Sequence, residues 1–330
     1  MLRPHQRGRL SEPSLPTCAL GLRTGGALRV LTLVGLSLLT AHAASQENTA
    51  DALSSRYRTM GSQLSASPLG VPVLVTSFED GDQVRGEVHA MLPQSFNSLV
   101  ARLSAPREWC HIVMLHLNIK ACTHEHETSR DWLTFYSGRK VYESPEKAYP
   151  LRFAFHAADA RIDHLEIDLS AATGPLNTND YRITLGAIPI PQGSFVRFSY
   201  SYRSSAMSRL AMNSYLATLG RGKVGFTVVG TGRDGKPAYV DGRRGIVERN
   251  AVRYYFAIQA YLEGLSVPQQ KRFEHSLERW FELTERYPMQ LHELDRSEYL
   301  QGKRREFEDQ HRRQQVLDSA NAGRPVGLAR

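Results

Sequence analysis

The stretch that most constrains this 330-residue chain runs from Val84 to Cys122. Val84, Gly86, Val88 and Ala90 alternate with Arg85, Glu87, His89 and Met91. That period of two predicts a half-buried strand. Pro93 ends it, because proline cannot donate to a ladder. Phe96, Leu99, Val100 and Leu103 then recur at i, i+3, i+4 and i+7, one face of a helix, with Ser95 placed to cap it. Pro106 suits the first turn of a second helix carrying Trp109, Ile112 and Val113. Leu115, Leu117, Ile119 and Ala121 alternate with polar residues and predict a second strand.

Downstream the chain runs through short alternating segments: Arg130–Lys140, Leu151–Ala157, Ile162–Leu169, Tyr181–Ile190 and Phe195–Tyr202. Gly174-Pro175, Pro189, Pro191 and Gln192-Gly193 supply turn chemistry between them. No helical pattern separates these strands, so a parallel sheet is excluded and an antiparallel meander is predicted. Ser205–Leu219 is helical and apolar nearly all round, which predicts a buried helix. A hairpin comes next around Asp234-Gly235, and from Ile246 the chain is helical in three segments. Val252–Leu262 is as apolar as Ser205–Leu219, so either helix could be the one held against the sheet.

Strand, the pattern SFNSLVARLSAPREWCHIV and then a meander resemble the opening of the START-like (helix-grip, or SRPBCC) superfamily. Ala105, Pro106 and Trp109 stand where that superfamily has a small residue, a proline and a tryptophan in its helix–turn–helix. The resemblance covers Gln83 to Gly220 and extends, as a whole-chain pattern, to secreted proteobacterial proteins. It implies an α+β fold in which a curved antiparallel sheet grips a buried helix, here with a mainly α-helical C-terminal extension. It also implies a pocket between sheet and helix that takes lipids, sterols or other hydrophobic molecules. Some members are cyclases or hydrolases, so an envelope enzyme using the same pocket is the alternative function; a protein-interaction scaffold built on the helical tail is another.

The N-terminus belongs to a different kind of segment. Four arginines precede the apolar run Ala27–Leu39 and a fifth, Arg29, stands near its start; with Ala41-His42-Ala43 they read as a secretory signal peptide cleaved near Ala43. The apolar run is shorter than the ~20 residues of a spanning helix. Removing 1–43 takes away five Arg and one Glu, so the formal charge falls from +8 to +4. A charge of that size calls for no nucleic acid; peripheral contact with a membrane stays open. The expected organisation is therefore signal peptide 1–43, flexible polar leader 44–70, START-like domain 71–245, helical extension 246–315 and disordered tail 316–330. Two cysteines remain after cleavage, Cys110 and Cys122. In a periplasmic or secreted protein an isolated pair invites a disulfide; buried free thiols are the alternative.

Candidate sites derive from the expected pocket. Met207, Leu210, Met212 and Tyr215 lie on the apolar Ser205–Leu219 helix, where methionine adapts to irregular guests and tyrosine meets a polar head. His116 and Asn118 share a strand face, pointing either into the pocket to orient a ligand or out to water. Other patterns are weaker. Gly220-x-Gly222-x-x-Gly225 comes after a helix and precedes a strand, the reverse of a dinucleotide site, and reads as a connector, so no cofactor is expected. Cys122, His124 and His126 have metal-ligand spacing, but a disulfide would remove the thiolate, so no metal is expected. Arg152, Arg182 and Arg197 could receive an anion or form a salt-bridged outer sheet face, and Glu166 and Asp168 could pair. No serine–histidine nucleophile pattern is present.

Overall fold

Period-two burial builds the sheet. In β6 (Leu165–Thr173) Leu165, Ile167, Leu169 and Ala171 are buried while the residues between them are not. Seven other strands join it: β1 (Val73–Asp80), β2 (Gln83–Leu92), β3 (Ile119–Glu127), β4 (Arg130–Ser137), β5 (Tyr149–Ala160), β7 (Asn179–Ile190) and β8 (Gly193–Arg203). The order is β1-β2-β8-β7-β6-β5-β4-β3 and every pairing is antiparallel. The first strand of the organising stretch, β2, thus lies beside the last strand of the meander, β8. The two helices between β2 and β3 are α2 (Phe96–Leu103) and α3 (Pro106–Val113), as the sequence predicts. Strand β3 begins four residues later than the alternation from Leu115 suggests, because 114–118 turn at the end of α3.

The computed structural model describes residues 49–160, 163–217 and 222–322. The expected signal peptide, and 323–330 of the tail, lie outside them.

The gripped helix is α5 (Gly242–Gly264), not the Ser205–Leu219 segment. Seventeen of its residues are buried. Strands β1, β2 and β8 cover one side; α3 and α6 (Arg272–Glu285) cover others. At the contact with β2, a Cβ on Gly86 would lie 2.6 Å from the Val247 carbonyl oxygen, so glycine is what lets strand and helix meet. The segment expected to be gripped forms α4 (Ala206–Ala217), whose Met207 and Leu210 are exposed. Apolar composition marks both helices; only the return of the chain across the sheet decides between them.

Polar segments also fold where composition argued against it. The stretch 44–70, expected to be a flexible leader, contains α1 (Ala50–Ser65), capped by Thr49. Leu53, Tyr57, Met60 and Leu64 fall on one face; Leu53 and Leu64 are fully buried against Ile188 and Phe195 on the outer side of the sheet. Four large apolar residues among sixteen suffice because they share a stripe. Covering the sheet there buries both faces of β2 and β8, including Glu87, His89 and Arg197.

The helical extension continues through α6, α7 (Pro288–Leu291) and α8 (Arg296–Ala322), so 316–322, expected to be disordered, are helical. Its balanced charges read as a solvated face, yet α8 buries Lys303, Glu306 and Gln310. They lie with Tyr299 and Gln314 on the face turned to β3, an edge strand. Gln310 accepts from the Cys122 N–H at 2.7 Å; Gln314 accepts from the His124 N–H at 2.8 Å and donates to its carbonyl at 2.9 Å. The Tyr299 hydroxyl and Lys303 ammonium donate to the carbonyls of Leu115, His116 and Ile119. Helix side chains thereby satisfy backbone groups that an open edge would offer to another strand. Glu306 bridges Lys120 at 2.7 Å and Lys303 at 2.8 Å, all three buried.

Cys110 and Cys122 are disulfide-bonded, with Cα atoms 5.0 Å apart, tying α3 to β3. Strands β9 (Val228–Thr231) and β10 (Pro237–Tyr239) form the expected small hairpin. Among the described residues no helix is long and apolar enough to cross a membrane.

Candidate functional site

Alternation in β8 turns Val196, Phe198, Tyr200 and Tyr202 to the inner face, while Phe195, Arg197 and Ser199 face outward. Tyr181 of β7 stacks on Tyr202 with ring centroids 5.3 Å apart, and Tyr200 lies 5.5 Å from Tyr254 of the gripped helix. The Tyr181 hydroxyl has a partner, Thr178 Oγ1 at 2.8 Å. The interior of the grip is thus a cluster of four phenols between sheet and helix. Burial pushes the hydroxyls of Tyr200, Tyr202 and Tyr254 far above the usual tyrosine range. Tyr200 is half-buried, whereas Tyr202 and Tyr254 are buried.

His116 closes one end of this cluster. It is only 2 % exposed, and its ring stacks on Tyr254 at 4.3 Å. The Asn118 N–H donates to Nδ1 at 3.1 Å, which fixes the proton on Nε2. Nε2–H has no acceptor among the described residues. Burial lowers the His116 pKa well below 6.5, and the neighbouring cations Arg253, Lys303, Lys120 and Lys140 lower it further. The imidazole is therefore neutral at pH 7. A neutral N–H donor beside neutral phenols, on aromatic walls, can hydrogen-bond an uncharged polar group and hold an apolar body.

Of the residues singled out from sequence, the fold brings His116 to this interior, with Asn118 orienting it and bonded to the Gly138 carbonyl at 2.9 Å. Exposure to water is the favoured sequence reading for His116; the structure corrects it, because the turn at 114–118 sends the ring inward. Met207 and Leu210 are on the solvent side of α4, Met212 is half-buried, and the Tyr215 side chain lies outside those described. Sequence reasoning missed Tyr254, because it lay in a helix whose packing was undecided. Tyr200 and Tyr202 did carry a signal: an aromatic at every second position of β8.

The other candidates resolve into structural pairs. Arg197 donates to Glu87, Arg182 pairs with Asp168 at 3.1 Å, and Arg152 pairs with Glu127 at 2.6 Å while lying over Trp132. These three form the salt-bridged outer face. His124 and His126 bracket Asp131 at 2.7 and 3.1 Å, and the Cys122 sulfur is in the disulfide. Gly225 packs against the gripped helix where the buried Glu248 carboxylate accepts from the N–H groups of Phe226 and Thr227, which fits a connector.

Strand order, the paired helices and the enclosed α5 define an α+β helix-grip fold. No family model matches the chain, and no curated protein matches it. Solved structures match less than half of the chain at low similarity. Norcoclaurine synthase from Thalictrum flavum is 13 % identical, covering 45 % of this chain and 82 % of its own, with a TM-score of 0.29. A protein from Arthrobacter aurescens is 13 % identical, covering 44 % and 81 %, with a TM-score of 0.27. A protein from Rhodobacter sphaeroides is 12 % identical, covering 44 % and 88 %, with a TM-score of 0.26.

Proposed function

We propose that this protein binds a hydrophobic or amphipathic molecule with an uncharged polar head inside the grip. The observation that carries this reading is the His116 Nε2–H, a buried donor with no acceptor among the described residues, beside the phenol cluster in which Tyr200 stays half-buried. A buried polar group without a partner costs about 1–3 kcal/mol, a cost that a ligand carbonyl or hydroxyl would remove. The neutrality of His116 and of the tyrosines selects against a charged head, because burying an unpaired ion costs more than burying a neutral group. The same neutrality favours a carrier over an acid–base enzyme. The apolar Ala27–Leu39 run with Ala41-His42-Ala43, and the disulfide, support export to the periplasm, where envelope lipids are the available ligands.

The test is uptake of a fluorescent sterol, dehydroergosterol, together with native mass spectrometry of protein taken from its own cell envelope. Tyr200→Trp should fill the proposed binding space and abolish uptake while circular dichroism is unchanged. His116→Phe should weaken uptake about tenfold, the worth of one buried hydrogen bond. If the wild type carries no extractable molecule and takes up no sterol, the reading is wrong.

A further inference from the structure

A second recess lies outside the grip, where the helical extension meets the α2–α3 turn. It is a cleft of about 500 Å³, formed by α2, α3, the C-terminal end of α5, α6 and α8. One wall is apolar: Phe273 of α6 and Phe307 of α8 stack with centroids 3.7 Å apart, and Leu265 continues the surface. His311 stands edge-on to Phe307 at 4.3 Å. The remaining wall is polar and carries a positive excess. Arg102, Arg272, His111 and His311 line it, against one carboxylate, Glu108; burial lowers the His111 pKa, so the excess comes from the two arginines. Glu108 is already engaged by the Tyr261 hydroxyl and by Arg102 at 3.4 Å. Glu274, beside Phe273, is taken by Arg304.

Arg272 is what the fold leaves over. Its Nε donates to the Val267 carbonyl at 3.2 Å, which fixes the guanidinium, and its terminal nitrogens have no acceptor among the described residues. It is half-buried, so these donors are partly withdrawn from water without an ion partner. A 3-10 turn, Gln269–Lys271, leads into α6, and the Arg272 N–H bonds back to the Gln269 carbonyl, which holds the residue at the mouth of the cleft. An arginine fork is matched to a carboxylate, and the aromatic wall beside it is matched to an apolar body.

We propose that this cleft binds an organic monoanion, a carboxylate carried on an apolar body, with Arg272 as its ion partner and the Phe273–Phe307 pair as its wall. The site is separate from the grip interior and selects the opposite head: charged here, neutral there.

Calorimetric titration of the full chain with decanoate and with decanol tests it. In Tyr200→Trp, whose grip is closed, decanoate should bind at least tenfold more tightly than decanol does. Arg272→Gln should weaken decanoate about tenfold and leave decanol unchanged. Gln269→Glu, an exposed change at the rim that does not threaten folding, should weaken decanoate in the same direction. Tyr200→Trp should leave decanoate binding intact, which separates this site from the grip. Equal affinity for decanol and decanoate in Tyr200→Trp would overturn the proposal. So would decanoate binding that survives both Arg272→Gln and Gln269→Glu, or that disappears in Tyr200→Trp.

Discussion

His89 sits where a histidine is costly. It lies on the outer face of β2 beneath α1, is 1 % exposed, and neither ring nitrogen has a hydrogen-bond partner among the described residues. Glu87 Oε2 is 3.9 Å away, too far for a hydrogen bond. Burial first, then Arg197 and Arg56, lower its pKa to about 3. The unfolded chain, with a histidine pKa near 6.5, therefore binds more protons than the native state between pH 6.5 and 3. Stability is full above pH 6.5 and falls with pH across that window, by roughly 4 kcal/mol from this residue alone if the whole window is crossed. His116, also held neutral, adds a loss of the same sign. His89→Phe should raise the stability measured by urea unfolding at pH 7, by about 1–2 kcal/mol, and flatten the acid limb between about pH 6.5 and 4. An unchanged slope would show that His89 is protonated in the native state. At this scale the sequence displayed which residues alternate in β2 but not that its polar face is covered, because the cover comes from α1, an element upstream that composition marks as polar.

Helix α8 acts on the sheet through single side chains. Gln310 and Gln314 occupy the hydrogen-bonding groups of an edge strand, and the disulfide anchors the same strand to α3. Gln310→Ala with Gln314→Ala should cost about 1–3 kcal/mol per backbone group left unpaired and should make the protein self-associate, since the uncovered edge can add a strand from another copy. Urea denaturation and sedimentation velocity measure the two effects. Lower stability without association would mean that the helix still screens the edge. The sequence marked α8 as helical from its composition, but the face that matters is polar, so hydrophobic periodicity pointed away from it. Positions 299, 303, 306, 310 and 314 become a packing face only when β3 and the turn before it supply the partners.

Across the whole molecule the grip depends on how closely sheet and helix approach. Gly86→Ala would drive a methyl into the Val247 carbonyl and against Ala251. It should destabilise the fold by about 2 kcal/mol and, by displacing α5, shift Tyr254 relative to His116 and Tyr200. Thermal denaturation and sterol uptake should therefore fall together; a loss of stability with uptake intact would detach the site from the position of α5. The sequence by itself determined the antiparallel meander, the two helices between β2 and β3, the cysteine pair and the helical extension, because each rests on local periodicity, turn chemistry or composition. The tertiary structure alone decided which apolar helix is gripped, that 50–65 covers the sheet, and that His116 turns inward to meet the tyrosines. Those choices rest on contacts between residues far apart in the chain, such as His116 with Tyr254 or Leu53 with Phe195, and local patterning carries no information about which distant surface a segment will meet.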